Sequence, residues 1–198
     1  MNTDHTSRRK RRHPFIKVCG QTYTGSVDCA AAYGAEYVGF NFCLGSPRFV
    51  TPRHAGHMKS AFMKRVGVFA RQSAAEILEI MGQADLHLAQ LAGGQDTDEA
   101  AAIGVQRVIR TLRVPEDATV ECMQAEIDAW EPFCCCYMVE CGKASLLRKL
   151  RFPHPWILSG RMEAGRLQRM LHMCRPDGVD IDSGVGSADT MAAMRAVS

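Results

Sequence analysis

Long apolar runs are missing from this 198-residue chain. A membrane-spanning helix needs about 18 consecutive apolar residues, and no stretch approaches that length. The basic start of the chain also lacks the apolar segment of a secretory signal, because the stretch His13–Lys17 that follows it is too short and too polar. These absences exclude a membrane span, and we expect a cytoplasmic protein.

Two common cofactor motifs are also absent. No G-x-G-x-x-G follows the first apolar run, which argues against dinucleotide binding. The nine cysteines form no pair of CxxC motifs with the spacing of a zinc site. Cys134, Cys135 and Cys136 are consecutive, so on a strand they point to alternate faces and do not converge on one metal. We therefore expect no metal and no cofactor, and a structural role for this cysteine run.

The basic residues are concentrated in one place. The formal net charge is only +3, and Arg8–Arg12 is an unbroken basic run. The remainder of the chain is close to neutral, so composition does not indicate a nucleic-acid surface. We predict a disordered basic tail over residues 1–13 and one domain over residues 14–198. A protein that binds nucleic acid through the tail remains an alternative.

After the tail, β-rich runs alternate with helical patterns up to the C-terminus. The predicted strands are Phe15–Val18, Tyr37–Phe42, Arg65–Phe69, Leu86–Leu91, Val105–Thr111, Phe133–Val139, Trp156–Leu158 and Gly178–Ile181. The predicted helices are Gly25–Tyr33, Pro52–Phe62, Ala74–Met81, Asp96–Ile103, Val120–Ala129, Ser145–Leu150, Ala164–Cys174 and Ala188–Val197. Eight alternations predict an α/β protein with a single (β/α)8 barrel, and a doubly wound open sheet is the alternative.

In such a barrel, functional residues lie at the carboxyl ends of the strands. This rule selects Cys19 after the first strand and Glu140 after the sixth. It also selects the Ser-Gly pairs after strands seven and eight, at Ser159–Gly160 and Ser183–Gly184. Small residues at that corner let backbone N–H groups approach a phosphate.

Several short segments, in this order and spacing, resemble the phosphoribosylanthranilate isomerase family. The resemblance spans residues 15 to 185, and the family is a small (β/α)8 barrel enzyme of tryptophan biosynthesis. The segments are Ile16–Gly20, Tyr37–Phe42, Ser46–Val50, Val66–Phe69, Gln72–Ser73, Leu88–Leu91, Trp156–Gly160 and Gly178–Val185.

The resemblance implies an Amadori rearrangement of a small phosphoribosyl substrate. A general acid protonates the furanose oxygen, the ring opens to a Schiff base, and a general base removes the C2′ proton. It implies Cys19 as the base, and register places Glu140 where the family has its aspartate acid. Arg48 maps onto the arginine that holds the anthranilate carboxylate. The remaining substrate-binding residues that it implies are Gly160, Asp180, Ser183 and Gly184.

The chain departs from the family pattern at the catalytic end of the barrel. A glutamate replaces the aspartate acid, and the glycine-rich loop after it is replaced by Cys141–Ala144. Arg161 and Asp182 replace small residues of the phosphate loops, and Ala92 replaces a histidine. Two alternatives follow: an active, divergent isomerase, or a barrel relative that binds a phosphosugar or serves as a scaffold without the activity. The sequence does not predict the oligomeric state.

Overall fold

The computed structural model describes residues 13–59, 62–141, 143–160, 163–181 and 188–197. Residues 1–12, most of the predicted tail, lie outside this description. The strands are β1 Phe15–Val18, β2 Tyr37–Asn41, β3 Lys64–Phe69, β4 Leu88–Leu91, β5 Val108–Arg113, β6 Cys136–Glu140, β7 Trp156–Ser159 and β8 Gly178–Ile181. The helices are α1 Thr24–Ala32, α2 Pro52–His57, α3 Ala74–Gln83, α4 Thr97–Ile103, α5 Val120–Trp130, α6 Ala144–Leu147, α7 Ala164–Cys174 and α8 Ala188–Val197.

The eight strands form one closed parallel barrel in the order of the sequence. Each strand pairs with the next, and β1 closes the barrel by pairing with β8 from Phe15 opposite Gly178 to Val18 opposite Ile181. This topology confirms the predicted (β/α)8 barrel and excludes the open sheet. None of the helices in the described ranges is long and apolar enough to cross a membrane.

Alternation along the strands separates two apolar cores. One set of strand residues packs outward against the helices and forms the larger cluster, which includes Val18, Val38 and Ile77. The other set fills the barrel interior near the amino ends of the strands. This smaller cluster comprises Phe15, Val66, Ile109, Cys136, Met138 and Ile157. This apolar cluster occupies about the half of the barrel interior nearest the amino ends of the strands. The polar residues that point into the barrel lie nearer the carboxyl ends.

Local sequence signals explain the helix boundaries. Ser73 caps α3 by accepting from the backbone N–H of Glu76, and the Glu76 carboxylate accepts from the backbone N–H of Ser73 in return. Leu167 and Met170 of α7 are buried, as their helical spacing predicts. Helix α3 begins at the predicted residue, and α7 has the predicted bounds.

Five predicted elements extend two or more residues beyond the observed ones, among them α6, which ends at Leu147 instead of Leu150. Helix α2 ends at His57 instead of Phe62, and β4 begins at Leu88 instead of Leu86 because Asp85 adopts a positive φ of 54°. Strands β5 and β6 begin three residues late, since Val105–Arg107 and Glu131–Phe133 form 3-10 turns. Each of these errors lies at the amino end of the barrel. The turns there contain apolar residues like those of the neighbouring strand, so the sequence pattern does not mark where the element begins or ends.

A buried arginine at the start of β3 joins the ends of two helices. The Arg65 side chain is 2% exposed, and its guanidinium lies 4.6 Å from the centre of the Phe40 ring. It donates hydrogen bonds to four carbonyl oxygens at the ends of α2 and α3. The acceptors are Ala55, Met58, Ala84 and Asp85. Arg65 thus satisfies carbonyl groups that a helix end leaves unpaired.

Replacing Arg65 by methionine should lower the free energy of unfolding by about 3–5 kcal/mol, because several buried carbonyls lose their donor at once. Urea unfolding followed by circular dichroism measures the change. Arg53→Met, at an exposed position of α2, is the matched control and should stay within about 0.5 kcal/mol. Equal stability of the two variants would contradict a structural role for Arg65.

Candidate active site

Cys19 lies at the carboxyl end of β1, at the level where the barrel opens. Its backbone N–H donates to the carbonyl of Ile181 at 3.2 Å, which continues the pairing of β1 with β8 by one residue. The residue is 8% exposed. Its sulfur lies against Gly39 of β2, where a β-carbon would sit 2.8 Å from Sγ. Glycine at position 39 therefore makes the space that the thiol occupies.

Arg48 reaches the same place from the loop after β2. Gly20 has a φ of +80°, and a β-carbon there would lie 2.5 Å from Cδ of Arg48. The guanidinium of Arg48 therefore packs over the Gly20 backbone, with Nη1 3.5 Å from the carbonyl oxygen of Cys19. The structure brings the predicted base and the predicted carboxylate clamp together.

A buried ion pair lies directly beside Cys19. The Lys17 ammonium donates to Oδ1 of Asp180 at 2.7 Å, and Lys17 is completely buried. Oδ2 of Asp180 accepts from the Ser159 hydroxyl at 3.2 Å. The Lys17 ammonium also hydrogen-bonds the Cys19 side chain. Both oxygens of Asp180, which was predicted to bind substrate, are therefore bonded to other side chains.

Sequence reasoning missed Lys17, although a signal was present. Lys17 interrupts the buried apolar strand β1, and Asp180 interrupts the buried strand β8. Charged residues are rarely fully buried unless they are paired. Opposite charges in the first and last strands of a predicted barrel, which must be neighbours on closure, indicate an ion pair between them.

Glu140 ends β6 and faces the same end of the barrel. Its Oε2 lies 3.0 Å from Nε of Arg113, the last residue of β5, and the two side chains are 39% and 66% exposed. In register, Glu140 is opposite Ser159, and Ser159 is opposite Asp180. Strands β7 and β8, with Ser159 and Asp180, therefore lie between Glu140 on β6 and Cys19 at the end of β1.

The predicted phosphate corner is described in part. Gly160 follows β7, is exposed and has a φ of +135°, a conformation that side chains rarely adopt. The bare backbone of Gly160 suits close approach by an anion. Ser183 and Gly184, together with Arg161 and Asp182, lie outside the described residues.

A cavity of about 560 Å³ opens beside the carboxyl ends of β3, β4 and β5. Its polar lining includes Arg71, Gln72, Gln95 and Arg113. Its volume is within the range of small-molecule sites. The barrel mouth is therefore concave on the side away from Gly160.

Two thiols of the cysteine run, Cys134 and Cys135, are in environments that disfavour a thiolate. Burial raises the pKa of Cys134 to about 11 and also raises the pKa of Cys135. The structure thus supports a structural role for the cysteine run. Cys19 differs from both because a lysine ammonium contacts it.

Comparison with known proteins shows the family of this chain. The sequence model of the family described as N-(5′phosphoribosyl)anthranilate (PRA) isomerase matches residues 16–189. The chain belongs to this family. It is 41% identical over 184 residues to the N-(5′-phosphoribosyl)anthranilate isomerase of Desulfovibrio desulfuricans, a match that covers 88% of this chain and 87% of that protein. The same enzyme of Maridesulfovibrio salexigens is 35% identical over 87% of this chain and 89% of the relative.

Solved isomerase structures share the barrel. Phosphoribosyl anthranilate isomerase from Thermus thermophilus is 27% identical, with a TM-score of 0.76 over 92% of this chain and 96% of that one. Another isomerase structure, solved with reduced 1-(o-carboxyphenylamino)-1-deoxyribulose 5-phosphate, has a TM-score of 0.80 over 93% of this chain and 98% of that one. At 22% identity, this second match supports the fold alone.

Proposed function

We propose that this protein isomerises N-(5′-phosphoribosyl)anthranilate, with Cys19 as general base and Glu140 as general acid. The observation that carries the proposal is the position of Cys19: a thiol at the end of β1, in contact with a buried ammonium group, in a chain of the isomerase family. The reaction is an Amadori rearrangement that moves hydrogen within one molecule. Acid and base side chains supply this chemistry without a redox partner.

Ring opening requires a proton on the furanose oxygen. Protonated Glu140 donates it, the bond between C1′ and the ring oxygen breaks, and the anthranilate nitrogen supplies the electrons that form a Schiff base. The ion pair with Arg113 lies at the exposed rim, where such pairs contribute only about 0–1 kcal/mol. Substrate binding can therefore displace it at small cost.

The second step removes the proton from C2′ of the open sugar. The Cys19 thiolate takes this proton and becomes a thiol, and the C2′–H electrons form the enolamine double bond. The enolamine then tautomerises to the 1-deoxyribulose ketone. A thiolate suits this step because the thiol has an ordinary pKa of about 8.5, close enough to neutral pH to exchange protons in both directions.

The two anionic ends of the substrate require different partners. We assign the anthranilate carboxylate to Arg48, whose guanidinium lies next to Cys19 and matches a carboxylate in geometry. We assign the phosphate to Gly160, Ser183 and Gly184. The proposal also places the protein in the cytoplasm, since a catalytic thiol must stay reduced.

A direct assay tests the proposed function. Purified protein mixed with N-(5′-phosphoribosyl)anthranilate should abolish the anthranilate fluorescence of the substrate, and the gene should rescue a tryptophan-requiring strain that lacks the isomerase. Failure of both tests, with well-folded protein, would favour the alternative of a barrel that binds a phosphosugar without the activity.

A further inference from the structure

The fully buried charge of Lys17 has no role in the two proton transfers described above. A buried ammonium is costly unless other groups compensate it. Burial alone lowers the pKa of Lys17, but the Asp180 carboxylate and the Cys19 side chain beside it raise the pKa above its ordinary value. Lys17 therefore stays charged inside the barrel.

The Lys17 ammonium lies close to the sulfur of Cys19. The β-carbon that Gly39 lacks would lie 2.8 Å from Sγ of Cys19 and 3.2 Å from Nζ of Lys17, so both atoms converge on one point of β2. On its other side, the ammonium is held 2.7 Å from Oδ1 of Asp180. Asp180 is itself fixed by the Ser159 hydroxyl. The chain of contacts runs from Ser159 through Asp180 and Lys17 to Cys19.

We propose that Lys17 is a positioning residue that stabilises the thiolate form of Cys19, with Asp180 and Ser159 fixing the ammonium against the sulfur. This inference rests on the proposed function of Cys19 as general base. A thiolate in a water-poor barrel mouth requires a neighbouring positive charge. The direct carboxylate partner keeps the lysine charged and oriented.

Within the part of the chain that the structure describes, the charged groups around Cys19 come from three elements. Lys17 lies on the same strand, Asp180 on β8, and Arg48 in the loop after β2, while β2 itself presents Gly39 without a side chain. Arg48 approaches the carbonyl oxygen of Cys19, whereas Lys17 approaches the side chain. Removing Lys17 should therefore change the titration of the thiol more than removing Arg48.

The test measures the titration of Cys19 in three variants. The rate of iodoacetamide alkylation as a function of pH, followed at the Cys19 peptide by mass spectrometry, gives the thiol pKa without requiring turnover. Lys17→Met leaves the Asp180 charge unpaired and should raise the thiol pKa by about one pH unit or more. Asp180→Asn leaves the ammonium and should keep the thiol pKa at or below the wild-type value.

The double variant Lys17→Met with Asp180→Asn keeps the packing and removes both charges, so it should fold even where Lys17→Met does not. Its thiol pKa should also exceed that of the wild type. Lys59→Met, at an exposed lysine 3.3 Å from Asp85, is the matched control and should leave the thiol pKa unchanged.

Activity provides a second readout. In Lys17→Met, kcat/KM at neutral pH should fall about tenfold or more and should recover as the pH rises and the thiolate reforms. A loss that is independent of pH would indicate a purely structural role and overturn the proposal. The proposal would also be overturned if the thiol pKa were unchanged in both variants that lack Lys17. The same holds if Lys17→Met and Asp180→Asn raised the thiol pKa equally. Because alkylation needs no substrate, these results are distinguishable from failure of the proposed isomerase activity.

Discussion

Cys19→Ala should reduce kcat by about a thousandfold or more, because a positioned general base contributes roughly 10²–10⁴ to a rate. Alanine fills the same place at the end of β1 but has no group that accepts the C2′ proton. Binding of a non-reactive product analogue should change little, since Arg48 and Gly160 remain. Steady-state fluorescence kinetics measure kcat, and isothermal calorimetry with the analogue measures binding.

The Cys19→Ser variant tests whether the shape of the side chain is sufficient for activity or whether its ability to ionise is required. The hydroxyl has nearly the same geometry but is not ionised near neutral pH, so this variant should be almost as slow as Cys19→Ala. Cys122→Ala, at an exposed position of α5, is the control for cysteine removal and should keep full activity. Turnover by Cys19→Ala at the control rate would refute the assignment of the base.

The sequence predicts the barrel well because the alternation of strands and helices repeats eight times. Even where β5 and β6 begin late, the order of elements is unaffected. The error at the end of α2 arises where one residue makes long-range bonds that a local pattern does not contain. Arg65 bonds to the ends of α2 and α3 at the place where the predicted α2 continues too far. Helix boundaries of this kind depend on tertiary contacts.

The two catalytic candidates were predicted because they follow or end a strand, whereas Lys17, which lies within a strand, was missed. Cys19 follows β1, and Glu140, as the last residue of β6, lies close to a predicted strand end. Lys17 lies inside β1, and its importance depends on the closure that places it opposite Asp180. Barrel closure is a property of all eight strands together. The pairing is therefore visible in sequence only after the fold has been assumed.

Register places five polar residues side by side around the barrel. They lie on five adjacent strands, β5 to β8 and then β1. In order they are Arg113, Glu140, Ser159, Asp180 and Lys17. An ion pair lies at each end of this row, and the Ser159 hydroxyl lies between the two carboxylates. The row therefore connects Glu140, the proposed acid, to the buried lysine beside Cys19, the proposed base.

Glu140→Gln should lower kcat by about a hundredfold or more, because an amide has the shape of the carboxyl group but does not donate its proton to the ring oxygen. Glu140→Asp tests the extra methylene. Positioning matters at a scale of about 1 Å, so the shorter side chain should also be slower unless the strand end moves toward the substrate. Single-turnover fluorescence kinetics separate ring opening from product release.

Two further variants distinguish loss of the proton from loss of the ion pair. Glu126→Gln is the matched control, because Glu126 is 38% exposed and also pairs with an arginine, Arg110, at 3.3 Å, but lies on α5 away from the barrel mouth. It should retain wild-type kcat.

Arg113→Met removes the partner of Glu140 and leaves the carboxyl in place, so kcat should change by no more than about threefold, given the small energy of exposed pairs. If Arg113→Met proved as slow as Glu140→Gln, the ion pair would be the essential feature, and Glu140 would lose its assignment as the acid.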